Sequence, residues 1–386
     1  PSPSTNTQSS RSTSKTETQK HPTPQETASP STSNPSTPTG FCNESTQMIS
    51  AVYVEKGRFE IGDGDRVEPA ADEVLLRVGF VGLCGTDLHV YHGNMDHRVC
   101  PPGIIGHEMS GTVEAAGSDV HDFGVGDRVV VRPLDYCGTC PACEAGHSHI
   151  CHNLKFMGVD TAGALQSYWT VKARTLHRLP ANVDLRRGAL VEPLAVACHD
   201  VARARVAAGE KVVVLGGGPI GQLIALVARA KGAEVLVSEP TAVRRNYAAD
   251  AGFAVIDPSA SDLADHVMEW TAGKGADVVF EVAGVQATVD AMTAIAAVRG
   301  RICMVAIHSA RPQVDLFRFF WRELELVGAR VYEAADFDAA IDLIAGGAVD
   351  VDALITSVRP IKDVQAAFEQ LDSADPGMKT LLECSK

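Results

Sequence analysis

The chain predicts an α/β protein built from a β-rich lobe and a doubly wound parallel sheet. Short β segments separated by glycines run from Met48 to about Val191. Apolar strands then alternate with helical stretches, as in KVVVLGGGPIGQLIALVARAKGAEVLVSEP. That alternation means parallel strands covered on both faces. Four cysteines, Cys137, Cys140, Cys143 and Cys151, interrupt the first lobe with C-x2-C-x2-C-x7-C spacing.

Residues 1–47 are mostly Ser, Thr and Pro, with almost no large apolar side chain. Such a segment buries too little surface to offset its ordering entropy, so a disordered tail is expected. Sparse arginine, with Glu17 and Glu26 present, argues against a targeting peptide. EVLLRVGFVG, GTVEAAG and DRVVVRP read as strands joined by turns. EPLAVACHDVARARV reads as a helix. ADVVFEVAG, a helix from about Gln286, RICMVAI and ELELVGARVY continue the β–α alternation. DFDAAIDLIAGG and VQAAFEQL predict helices on either side of the extended piece ALITSVRP.

The 386 residues are enough for two domains with real cores. A net charge of −14 argues against a nucleic-acid or anionic-membrane partner. No apolar run reaches the roughly 18–20 residues of a membrane helix. Cys42, Cys84, Cys100, Cys198, Cys303 and Cys384 show no regular disulfide spacing. Cys198 and Cys303 lie in apolar stretches and are expected as buried thiols. A reducing cytosol is the expected compartment.

The four-cysteine run predicts a closed structural zinc site, since four thiolates this close can meet at one tetrahedral centre. Two disulfides are the alternative and need an oxidising compartment. With four cysteines filling the site, His147, His149 and His152 are expected on the surface.

GGGPIG supplies Gly216, Gly218 and Gly221, with Pro219 and Ile220 between them. It follows the strand KVVVL and opens a helix, the context that makes G-x-G-x-x-G a dinucleotide signature. Gly216 allows the tight turn, Gly218 lets a pyrophosphate approach, and Gly221 lets helix and strand pack closely. The helix N-terminus then faces the phosphates. Glu239 stands 18 residues beyond Gly221, at the end of the next strand. Its carboxylate can accept from ribose hydroxyls and repel a 2′-phosphate, which favours NAD over NADP. Arg244 and Arg245 either hold such a phosphate or lie on the following helix.

A second metal signal is distributed over Cys84 in GLCGTDLH, His107 and Glu108 in GHE, and Glu192 in VEPLAVA. A catalytic zinc takes about three protein ligands and an open position. Cys84 and His107 are good donors, and Glu108 or Glu192 completes the set or holds the metal-bound water. Asp87 is a candidate for orienting a histidine ligand through its other ring nitrogen. Thr86 and His89 are polar groups placed to pass a proton outward.

From about Met48 onward the chain resembles the zinc-dependent medium-chain alcohol dehydrogenases. GLCGTDLH, PPGIIGHEMSG, GDRVVV, the four-cysteine loop, VEPLAVA and GGGPIG come in family order. The resemblance implies a GroES-like catalytic domain over 48–193, a Rossmann NAD domain over 194–334, and a return to the catalytic domain over 335–386. It implies two zinc ions per chain, NAD, a small alcohol substrate and a homodimer or homotetramer. Cys84, His107 and Glu192, with Glu108 exchanging or close by, would surround the catalytic zinc; Thr86 and His89 would form the proton relay. Glu192, where other branches carry a cysteine, points to the sorbitol, 2,3-butanediol and threonine dehydrogenases. VGARVYEAADFDAAIDLIAGG, with Tyr332, Asp336 and Phe337, resembles the butanediol enzymes most. Val331 stands where sorbitol dehydrogenases place a substrate-binding arginine, which favours a secondary alcohol or short vicinal diol. A sugar-alcohol or L-threonine 3-dehydrogenase is the alternative within enzymes. A non-catalytic dinucleotide-binding scaffold or sensor is the other, and the full ligand set argues against it.

Overall fold

Strand Glu73–Gly82 organises the first lobe. Its sequence, EVLLRVGFVG, is apolar at nearly every position and is buried almost throughout. It pairs antiparallel with Glu108–Ala116 along one edge. Tyr168–Lys172 and then Lys379–Glu383 pair with it along the other. The sheet continues outward to Arg128–Val131 and Leu176–Arg178 on one side and to Ile355–Pro360 on the other. Gly82 sits opposite both Glu108 and Leu381. Strand Glu73–Gly82 thus lies between the Gly-His-Glu segment and a strand from the chain's last ten residues. This computed structural model describes residues 48–64, 66–373 and 375–385. The expected disordered tail, 1–47, lies outside the described residues.

The second sheet is wholly parallel. Its strands run Ala254–Ile256, Glu234–Ser238, Lys211–Leu215, Ala276–Glu281, Ala296–Met304 and Glu325–Gly328 across the sheet. The chain reverses direction of travel between Lys211–Leu215 and Ala276–Glu281, the switch point where such sheets bind ligands. Strand periodicity decides which core each side chain joins. Val212 and Val214 face helices Val191–Arg203 and Pro219–Ala230, whereas Val213 and Leu215 face Leu263–Trp270 and Gln286–Ile295. The first of these cores also takes in Val130, Leu134 and Leu179, so it runs on into the first lobe.

One predicted strand is shorter than expected. ELELVGARVY is extended only over Glu325–Gly328. The strand stops at Gly328, and three residues on Val331 takes a φ of 50°, a left-handed turn just before the buried Tyr332. Beside this edge strand, Leu316, Phe317, Phe320 and Trp321 on helix Leu316–Arg322 are largely exposed. Among the described residues, no helix is long and apolar enough to cross a membrane.

Candidate active site

Cys84 caps helix Gly85–Tyr91, and this fixes its sulfur. Sγ accepts the Thr86 N–H at 3.2 Å while the Asp87 carboxylate accepts the Cys84 N–H at 3.1 Å. His107 precedes strand Glu108–Ala116, and its Nε2 lies 3.1 Å from Cys84 Sγ. Its other nitrogen, Nδ1, faces Asp87 Oδ1 at 3.4 Å, with both side chains buried. Asp87 therefore stands where it can orient the ring. Donor atoms of Cys84, His107 and Glu108 all lie within 4.8 Å of one another. A thiolate, an imidazole and a carboxylate gathered this tightly fit zinc.

The two candidate acids occupy different surroundings. Glu108 is buried, and the ammonium of Lys379 donates to both its oxygens, at 2.8 and 2.7 Å. Gly82 makes room for this pair, because a Cβ there would collide with the Glu108 carboxylate. Glu192 lies outside the three-donor cluster and accepts the Tyr332 hydroxyl at 2.7 Å. Burial, reinforced by Glu108 and opposed by His107, pushes the Glu192 carboxyl up to about 7. Burial raises the Cys84 thiol, against the pull of the His107 ring. Burial would lower the His107 imidazole, but the negative charges of Cys84 and Asp87 outweigh it and raise it. Lys379 was absent from the sequence-based site. Its signal was a lone lysine opening the apolar strand KTLLE, and nothing local says what it meets.

A cavity of about 740 Å³ joins this cluster to the glycine-rich turn. Cys84, Glu108 and Lys379 line one end, and Gly216, Gly218, Pro219, Ile220, Gly221, Glu239 and Arg244 the other. Gly216 has a φ of 115°, a value that only glycine takes at ease. A Cβ on Gly221 would strike the Gly216 carbonyl, so strand and helix need glycine here. Gly218 caps helix Pro219–Ala230, whose N-terminal N–H groups open towards the cavity. The Glu239 carboxylate accepts from Gly217 N–H and Thr241 N–H, each at 2.8 Å. These bonds fix its direction and leave lone pairs for a ribose. Arg244 borders the cavity, its guanidinium 3.8 Å from where a Cβ on Gly218 would stand. Arg245 turns away to Asp257 and the Glu239 carbonyl. Both arginines lie on helix Ala242–Asp250. Thr86 is half-buried and His89 exposed on helix Gly85–Tyr91, outside the set lining the cavity.

In the cysteine loop the four sulfurs cluster without bonding. Cys140 lies 3.6 Å from Cys143 and 3.7 Å from Cys151, and Cys137 lies 3.5 Å from Cys151. Backbone N–H groups of Cys137, His152 and Asn153 donate to sulfur. The Thr139 N–H, with Asn153 and Cys151, brings the Cys137 thiol down to about 5. Thiolates so supported suit a structural zinc. His147 and His152 are exposed as expected, but His149 is not. It is buried with its ring 5.1 Å from that of His199. The short helical turn Ser148–Ile150 carries it inward, which sequence spacing did not reveal.

Two family models match the chain: the alcohol dehydrogenase GroES-like domain over residues 70–181 and the zinc-binding dehydrogenase over residues 219–346. The chain is 60% identical over 338 residues to the 2-dehydro-3-deoxy-L-galactonate 5-dehydrogenase of Pseudoalteromonas atlantica, covering 88% of this chain and 99% of that one. A Sinorhizobium meliloti protein described as a zinc-binding dehydrogenase, solved with NADP bound, is 32% identical with a TM-score of 0.83, covering 87% and 99%. The 2R,3R-butanediol dehydrogenase of Bacillus subtilis is 29% identical with a TM-score of 0.81, again covering 87% and 99%.

The two donor clusters predict two zinc ions per chain in protein purified without chelator, read by elemental analysis. Cys84→Ser should lose one ion and stay folded. Cys140→Ser should lower the melting temperature, because structural metal binding is linked to folding. A single ion in the wild type, with Cys84 open to a thiol reagent, would contradict this.

Proposed function

We propose that this chain, which belongs to the zinc-dependent medium-chain alcohol dehydrogenase family, transfers hydride between NAD and a secondary alcohol carbon of a short sugar acid. The observation that carries this reading is the 60% identity to the Pseudoalteromonas enzyme over 99% of its length. The second reading is 2,3-butanediol or a similar short diol. It is favoured by Val331 and by the 29% identity to the Bacillus enzyme.

Cys84, His107 and Glu108 would hold the catalytic zinc, and Cys137, Cys140, Cys143 and Cys151 the structural one. When bound, the catalytic zinc supplies Lewis acidity at the alcohol oxygen. NAD supplies the hydride acceptor. The protein positions the alcohol and moves its proton. Lys379 compensates the Glu108 charge, and Tyr332 holds Glu192 beside it. Thr86 and His89, three residues apart on one helix, share a face. The half-buried Thr86 hydroxyl would take the alcohol proton and the exposed His89 imidazole would pass it to solvent. At the far end of the cavity, Glu239 favours NAD by repelling a 2′-phosphate, and Arg244 works against that preference.

A panel of 2-dehydro-3-deoxy-L-galactonate, sorbitol, xylitol, threonine and 2,3-butanediol, each run with both dinucleotides, tests the assignment. The sugar acid with NAD should show the highest kcat/KM, by about tenfold or more over NADP, or about 1.4 kcal/mol. An inert sugar acid beside an active butanediol would establish the second reading. Equal rates with NADP would remove the role given to Glu239.

Positioned acid–base groups contribute about 10²–10⁴-fold. Thr86→Val should lose most of that factor in kcat with metal content unchanged. His89→Gln should lose less, and its loss should shrink as pH rises. Near-wild-type kcat in Thr86→Val would send the proton by another route, with Glu192 the next candidate.

A further inference from the structure

Val331 precedes Tyr332 at a φ of 50°. A β-branched residue is an outlier in this region, because its Cβ crowds the following carbonyl. Such a conformation persists only where its surroundings over-determine it. Two contacts do so, and both come from one helix. Glu192 and His199 lie seven residues apart on helix Val191–Arg203, two turns along one face. Glu192 accepts the Tyr332 hydroxyl at 2.7 Å. His199 Nδ1 lies 2.9 Å from Asp336 Oδ2.

Asp336 also accepts the Glu333 N–H at 2.8 Å and, with the Glu333 side chain, closes the capping box that starts helix Ala334–Ala345. The segment that follows the strained turn is therefore gripped twice, at Tyr332 and at Asp336. Phe337 packs edge-on to Tyr332 at 4.8 Å between ring centres. His199 and Tyr332 are both buried. The ring of His149, from the cysteine loop, lies edge-on to His199.

We propose that His199 is a positioning residue: its bond to Asp336 holds the left-handed turn at Val331 that keeps the Tyr332 hydroxyl on Glu192. This rests on the dehydrogenase chemistry of the site but not on which alcohol is the substrate. Without the bond, Val331 relaxes, the start of the helix shifts, and Tyr332 swings away from the carboxylate. His199 itself lies outside the set of residues that line the cavity.

Four variants test this: His199→Leu, His199→Asn, Val331→Gly, and His199→Leu combined with Val331→Gly. Melting temperature needs no substrate, so it separates failure here from failure of the substrate assignment. Glycine relieves strain only where strain is still held. Val331→Gly should therefore be more favourable in the wild type than in His199→Leu, by about 2 °C. Additive shifts would overturn the proposal.

Turnover of the sugar acid, with 2,3-butanediol as the second probe, gives the functional arm. His199→Leu should lose about 10-fold to 100-fold in kcat, with the Kd for NADH and the zinc content unchanged. Asparagine, which keeps a hydrogen-bonding group near Nδ1, should retain most of the rate. Val331→Gly should restore most of what His199→Leu loses. Wild-type kcat in His199→Leu, no restoration by Val331→Gly, or loss of zinc through the His149 contact would each overturn the assignment.

Discussion

Glu108 and Lys379 meet across 271 residues of chain, both buried, with the ammonium also bonded to the Leu83 carbonyl. Away from water neither charge is tolerable alone. Removing one partner from such a pair leaves an uncompensated buried charge and costs about 3–5 kcal/mol. The pair forms only when strand Lys379–Glu383 has docked against Glu73–Gly82. The surroundings of the Cys84, His107 and Glu108 cluster are thereby tied to completion of the first sheet. Gly82 has no side chain because the carboxylate needs that space.

From this pair the division of labour at the site follows. Glu108 faces a cation, the Lys379 ammonium, beside Cys84 and His107. Glu192 faces a phenol, and burial holds its carboxyl up at about 7. Two carboxylates of the same type thus acquire different electrostatic characters from their neighbours alone. Lys379 also lines the cavity that reaches the glycine-rich turn, so the group compensating Glu108 borders that cavity. The cysteine loop enters through its buried His149, which ties it to the helix carrying Glu192.

What could be read from the sequence was what lies close together along it. The parallel sheet followed from strand–helix alternation, and the glycine turn from residues 216–221. The four sulfurs sit within 15 consecutive residues, Cys137 to Cys151. Cys84 and Asp87 stand three apart, which sufficed to suggest an acid behind the histidine. The missed features join distant segments. Tyr332 reaches Glu192 across 140 residues, Asp336 reaches His199 across 137, and Lys379 reaches Glu108 across 271. No periodicity encodes such meetings; they follow from which strand docks beside which. His149 was misplaced for the same reason, since the partner that buries it lies on a distant helix. The extent of the last parallel strand was overread because apolar patterning carries no sign that the strand stops at Gly328.

The central claim is that the Lys379–Glu108 pair holds the metal-binding arrangement together. Melting temperature and zinc content of Lys379→Met, alone and combined with Glu108→Gln, test it most directly. The single variant should melt several degrees lower and lose the ion at Cys84 while keeping the one in the cysteine loop. Adding Glu108→Gln removes the stranded charge and should recover most of the melting temperature without restoring that ion. A Lys379→Met protein with wild-type melting temperature and both ions would contradict the account.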